Sequence, residues 1–171
     1  MVIEPMKCGT EEFEVHLPEE LIAAELEPNR VELPQRTPAE HIRWALDHPV
    51  DSAPLKELVK AGDKVCIVIS DVTRRWQSPE TYIPVLIAEL ESAGIRDEDM
   101  LIISATGTHR RQTPEEHMGL VTKEVYERIE LVDHVCTDEE NLSYVGTTSR
   151  GTPVWLDKRA LACDKIILTG G

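Results

Sequence analysis

A chain of 171 residues, 41% hydrophobic and 29% charged, has room for one full-sized hydrophobic core and too little for two, so a single domain over residues 1–171 is expected. Its 32 acidic residues outnumber 18 basic ones, and the formal net charge of −14 repels nucleic acid and anionic membranes, so neither is expected as a partner. No apolar run approaches the roughly 20 residues that cross a bilayer, and the opening residues lack the basic start and apolar stretch of a secretory signal, which points to the cytoplasm.

Residues 12–18 alternate apolar and polar and predict an early strand, followed by a stretch punctuated by Pro28 and Pro34. Thr37-Pro38-Ala39-Glu40 combines a capping hydroxyl, a proline at the first helical position and a glutamate that can reach back to the cap amide, so a helix runs to about His48. A short helix over Pro54–Val59 ends at Gly62, and residues 64–70 form a nearly continuous apolar run, the pattern of a strand buried on both faces. Ser78-Pro79 opens a helix with Ile83, Leu86, Ile87 and Leu90 on one stripe, ended by Gly94, and Met100–Ser104 is the next strand. Strand, helix and strand in so short a span make a βαβ crossover and parallel pairing. Thr113-Pro114-Glu115-Glu116 repeats the cap, a helical segment reaches about Ile129, and Glu130–Cys136 is a strand. Short strands around Ser149-Arg150-Gly151, a helix over Asp157–Ala162 and a strand over Lys165–Leu168 complete an α/β fold with a mostly parallel, Rossmann-like sheet flanked by helices. The last residues, Leu168-Thr169-Gly170-Gly171, follow a strand directly, where such folds continue into a loop and helix. The chain is therefore expected to be the N-terminal domain of a longer one.

Cys8, Cys66, Cys136 and Cys163 show no paired spacing, and they are read as thiols without a disulfide or zinc role. Ligands of open α/β sheets bind beyond the carboxyl ends of the strands. There the chain reads Asp71-Val72-Thr73-Arg74-Arg75 after one strand and Ala105-Thr106-Gly107-Thr108-His109-Arg110-Arg111 after the next. Four arginines of an acidic chain concentrated on two loops of one sheet edge predict an anion site, because guanidinium binds carboxylate and phosphate in a bidentate fork. His109 is the one histidine in these loops and a candidate acid or base. Asp71 could fix an arginine or accept a ribose hydroxyl, Thr73 could donate to a phosphate, and Gly107 lets backbone amides approach a ligand. His134, inside a strand-like run, is read as structural. Neither a phosphate-cradling GxxxxGK[ST] loop nor a GxGxxG fingerprint nor a GxSxG elbow occurs.

Ser70-Asp71-x-Thr73-Arg74, then Ala105-Thr106-Gly107-x-His109-Arg110, then Asp133-His134-Val135-x-Thr137-Asp138 resemble the N-terminal domain of the nickel-dependent lactate racemase family. The resemblance covers most of the chain. It implies a racemase or epimerase of 2-hydroxy acids that works with a nickel-pincer nucleotide. It also implies that Arg74, with Arg75 beside it, holds the substrate carboxylate, and that His109 is one of two histidines acting on the substrate hydroxyl. Hydride then passes to the cofactor and returns to either face of a planar keto acid. Asp71, Thr73, Gly107 and Arg110 are the expected cofactor contacts. Arg75 and Arg111 stand where the family typically has proline, which implies a different or more acidic substrate than lactate. The family's second catalytic histidine, cofactor-tethering lysine, nickel-ligating histidine and C-terminal domain correspond to no residues of this chain, so the chain alone is expected to be inactive and to retain no cofactor. Two other classes compete with this reading: a module that binds a small anion or nucleotide without chemistry, and a metal-assisted hydrolase built on His109 and His134.

Overall fold

The computed structural model describes residues 1–170; Gly171, the last residue of the terminal stretch, lies outside the described residues. The chain divides into two compact units, one ending at Gln35 and the other starting at Arg36. In the first, β1 (Val2–Cys8) and β2 (Glu11–Leu17) form an antiparallel hairpin with Cys8 opposite Glu11. Gly9 opens its two-residue turn at φ +65°, a conformation glycine takes without steric cost. The expected strand over residues 12–18 is β2. Its partner was not foreseen, because Pro5 and Lys7 break up the apolar pattern of β1.

The second unit holds the α/β architecture. α1 (Pro38–Asp47) starts in a complete capping box: the Glu40 amide donates to Thr37 Oγ1 at 3.3 Å and the Thr37 amide donates to the Glu40 carboxylate at 2.7 Å. Such a cap contributes about 1 kcal/mol. α2 (Leu55–Leu58) leads into β3 (Val65–Ser70), α3 (Pro79–Ser92) and β4 (Met100–Ala105). The second capping box, at Thr113 and Glu116, starts α4 (Pro114–Val121). The helix expected to reach Ile129 is interrupted at Thr122, whose φ of 77° is incompatible with helix, and its hydroxyl caps a separate α5 (Lys123–Arg128). β5 (Glu130–His134) follows, then the antiparallel hairpin of β6 (Leu142–Thr147) and β7 (Pro153–Asp157), α6 (Lys158–Leu161) and β8 (Lys165–Leu168).

β3, β4, β5 and β8 form one four-stranded sheet in the order β5-β4-β3-β8, parallel throughout. The expected Rossmann-like sheet is present. Val65, Ile67 and Ile69 of β3, with Met100 and Ile102 of β4, bury one face against Ile83, Ile87 and Leu90 of α3, Leu120 of α4 and Val125 of α5. On the other face, β7 and α6 border an apolar groove of about 450 Å³ lined by Val68, Ile103, Trp155, Leu161 and Leu168. The register places Ser70 opposite Ala105 and Ala105 opposite His134. That alignment brings the starts of the loops after β3, β4 and β5 to one edge, where the functional residues lie. Among the described residues, no helix is long and apolar enough to cross a membrane.

Candidate functional site

Asp71 is the first residue after β3 and is buried, with 3% of its surface exposed. It caps the 3-10 turn Val72–Gln77: its Oδ1 accepts from the Thr73 amide at 3.2 Å and from Thr73 Oγ1 at 2.6 Å. This is the Asx-turn chemistry of an Asp-x-Thr sequence. Its other oxygen, Oδ2, lies 2.6 Å from Nδ1 of His109. The Thr106–His109 turn brings the imidazole there, with the His109 amide donating to the Thr106 carbonyl at 2.9 Å and Gly107 at φ +59° inside the turn. Thr106 is buried, and its hydroxyl donates to the carbonyl of His134, tying the turn to β5.

Burial opposes ionisation of Asp71, but the hydrogen bonds from Thr73 and His109 outweigh it and hold the carboxyl below its usual range. An ionised Asp71 only accepts, so Nδ1 of His109 carries the proton. The Nε2 of a neutral ring is then left with its lone pair, on a side chain that is half exposed. A buried carboxylate fixing the tautomer and direction of an exposed imidazole is the arrangement of a general base and its orienting group.

The arginines fall into two groups. Arg74 lies where the 3-10 turn is kinked (φ −108°, ψ 19°), is exposed, and has its Nη1 3.5 Å from Thr73 Oγ1. It has no carboxylate partner among the described residues. Arg75 also lacks one; its guanidinium lies over Gly119 of α4, so close that a Cβ there would stand 3.2 Å from Cζ. Arg110 is committed elsewhere: it forms a bidentate pair with Glu116 at 2.8 and 2.7 Å and donates to the Arg111 carbonyl at 2.9 Å. Arg110 first, and then the Thr113 amide, hold the Glu116 carboxyl down at about 2. The two loops therefore present a braced imidazole and two guanidiniums without a carboxylate partner among the described residues, while buried Asp71 and exposed Arg110 each bond to protein partners.

Sequence reasoning did not single out Gln112, His117 or the side chain of Asp133. Gln112 Oε1 accepts from the Val72 amide at 2.7 Å, and its Nε2 donates to Ser104 Oγ at 2.7 Å and Asp133 Oδ1 at 2.8 Å. Its backbone amide donates to Asp133 Oδ2 at 2.8 Å, and His117 Nε2 lies 2.8 Å from Asp133 Oδ1. Burial again opposes ionisation of Asp133, and the bonds from Gln112 and His117 overcome it. His134 pairs separately with Asp157 at 3.3 Å, and Arg159 donates to both oxygens of Asp157. His109 and His134 thus take different carboxylates. Among the described residues no group of three His, Cys, Asp or Glu side chains could hold a metal ion, which leaves the metal-hydrolase reading without a ligand set.

Fold and site together define a parallel α/β domain whose strand-end loops pair a carboxylate-braced histidine with an unpaired arginine. The lactate racemase N-terminal domain model matches residues 8–171, and the chain belongs to that family. It is 31% identical over 131 residues to a lactate racemase of Lactiplantibacillus plantarum, and 27% identical over 129 residues to one of Thermoanaerobacterium thermosaccharolyticum. These matches cover 77% and 75% of this chain but only 30% of each relative. The solved lactate racemase apoprotein from T. thermosaccharolyticum superimposes with a TM-score of 0.77 at 25% identity, over 98% of this chain and 38% of that one. A Thermotoga maritima protein shares the fold at a TM-score of 0.58 and 23% identity, over 76% of this chain and 32% of its own.

Proposed function

We propose that this chain is the N-terminal part of a racemase or epimerase of 2-hydroxy acids. The observation that carries the reading is the His109 imidazole braced by buried Asp71 beside the unpaired Arg74. Arg74 holds the substrate carboxylate in a bidentate fork, with Arg75 on the same turn adding positive potential. Nε2 of His109 takes the proton of the 2-hydroxyl as the carbonyl forms and returns it when the bond is remade. Asp71 keeps a proton on Nδ1, which leaves the Nε2 lone pair free to take the hydroxyl proton, and stabilises the imidazolium that results.

No side chain accepts a hydride, so the exchange at C2 needs a cofactor, for which we propose a nickel-pincer nucleotide. Bound here, such a group would supply a reversible hydride acceptor open to either face of C2. The described residues lack a metal-ligand set, so nickel would be held by donors outside them. What fits here is a sugar hydroxyl of a nucleotide, not its phosphate: Thr73 gives its hydroxyl hydrogen to Asp71 and keeps only acceptor capacity, and the backbone at Gly107 is open, with nothing beyond its chain neighbours within 4 Å of where a Cβ would stand. In this reading the chain by itself neither racemises substrate nor retains the nucleotide, since the described residues supply no metal-ligand set.

Optically pure 2-hydroxy acids, including lactate and dicarboxylic analogues, incubated with the cofactor-loaded full-length protein and resolved by chiral chromatography test the proposal. Appearance of the opposite configuration at C2 is expected. Binding of carboxylates without any inversion would sink it in favour of a capture module.

A further inference from the structure

His109 and Asp71 stand on different loops, 38 residues apart in sequence, and the half-exposed imidazole has little packing to hold it. Their 2.6 Å contact therefore depends on whatever fixes the loop after β3 against the loop after β4. The side chain of Gln112 spans that gap. Gln112, three residues past His109, accepts from the amide of Val72, the residue that follows Asp71, and donates back to Ser104 of β4 and to Asp133 of β5. Asp133, whose side chain is 5% exposed, is gripped in turn by the Gln112 backbone amide and by His117.

We propose that Gln112 is a positioning residue for the His109–Asp71 pair, a clamp whose amide sets the loop after β3 against the loop after β4. Only a primary amide at this length does this. Its oxygen must accept from the Val72 N–H while its nitrogen donates to a hydroxyl and to a carboxylate at the other end. A carboxylate in its place would face Asp133 with like charge and offer no donor, and an apolar side chain would leave the Val72 N–H without its acceptor and take one of the two partners from Asp133 Oδ1. Holding the Val72 amide fixes the plane of the Asp71–Val72 peptide, and with it the direction in which Oδ2 meets Nδ1. The assignment rests on the reading of His109 as the base.

The test reads His109 directly by long-range proton–nitrogen NMR on the protein, in the wild type and in Gln112→Met, Gln112→Asn and Val125→Ala. The wild type should show one tautomer with the proton on Nδ1 and a slowly exchanging Nδ1–H signal. Gln112→Met, which keeps the length and removes the amide, should lose that signal and drift toward the mixture of a free imidazole. Gln112→Asn keeps the amide but falls one carbon short of Val72. It should lose the signal too, and it decides the matter if Gln112→Met does not fold. Val125→Ala weakens the core away from the clamp and should leave the signal intact. A wild-type signal in the folded Gln112 variants, or its equal loss in Val125→Ala, overturns the proposal. In the cofactor-loaded full-length protein, Gln112→Met should lower kcat roughly 10- to 100-fold with KM little changed. Should the wild type racemise nothing, the functional reading fails, while the NMR comparison still decides whether Gln112 is a clamp.

Discussion

Replacing Asp71 by asparagine should invert the tautomer of His109, and the hydrogen bonds dictate the direction. Oδ1 of Asp71 receives two donors, the Thr73 amide at 3.2 Å and the Thr73 hydroxyl at 2.6 Å, so in Asp71→Asn the amide oxygen must stay on that side. The new NH2 then takes the place of Oδ2, 2.6 Å from Nδ1 of His109, and donates to it. Nδ1 becomes the acceptor, the proton moves to Nε2, and the atom that should receive the substrate proton no longer has a lone pair. A misassigned tautomer with the geometry intact costs on the order of 10³- to 10⁴-fold in kcat, with KM nearly unchanged because Arg74 is untouched. Chiral assays of the cofactor-loaded full-length protein measure the rate, and imidazole nitrogen shifts measure the tautomer. Near wild-type turnover in a variant whose proton has moved to Nε2 would refute the reasoning.

Arg74→Ala should weaken substrate binding by about 1.5 to 3 kcal/mol, and Arg74→Lys should restore only part of it, since an ammonium lacks the bidentate fork; competition with the matching keto acid measures both. The carboxyls of Asp71, Asp133 and Asp157 sit below their usual range because hydrogen bonds, above all from Thr73, Gln112 and Arg159 respectively, outweigh the opposing effect of burial. The folded chain therefore binds their protons less tightly than the unfolded chain, where an aspartate titrates near ~3.9; their stabilisation is complete above that value and lost as pH falls below it. Tm followed from neutral pH to strong acid should drop below about pH 4, and Asp133→Asn should flatten the fall. Burial pushes the Cys66 thiol up to about 12, whereas Cys8 and Cys136 are exposed. A thiol reagent at neutral pH should modify Cys8 and Cys136 quickly and Cys66 only after unfolding.

Local chemistry made much of this structure readable. Thr37 and Thr113 announced their helices because a capping box needs only four consecutive residues, and β3, β4 and β8 stood out as apolar runs between polar loops. The topology then predicted which loops share an edge. It did not predict which atoms meet there, because that depends on strand register. Ser70 opposite Ala105 sets Asp71 level with Thr106, and only then does the turn to His109 close on the carboxylate. Asp71-Val72-Thr73 did carry a signal, the Asx-turn pattern, which marks an aspartate bonded to its own loop. Gln112 carried none. Its role appears only once β3, β4 and β5 are aligned, and an isolated glutamine in a polar loop looks like any solvated side chain. The pairing of Arg110 with Glu116 was concealed by the capping box, in which Glu116 already had a task.

The most direct test of the central claim is the rate of inversion in both directions for His109→Ala in the cofactor-loaded full-length protein. A fall of roughly 10²- to 10⁴-fold in kcat with KM little changed is expected, with partial recovery when free imidazole is added to fill the vacated space beside Asp71. Undiminished turnover in both directions would contradict it.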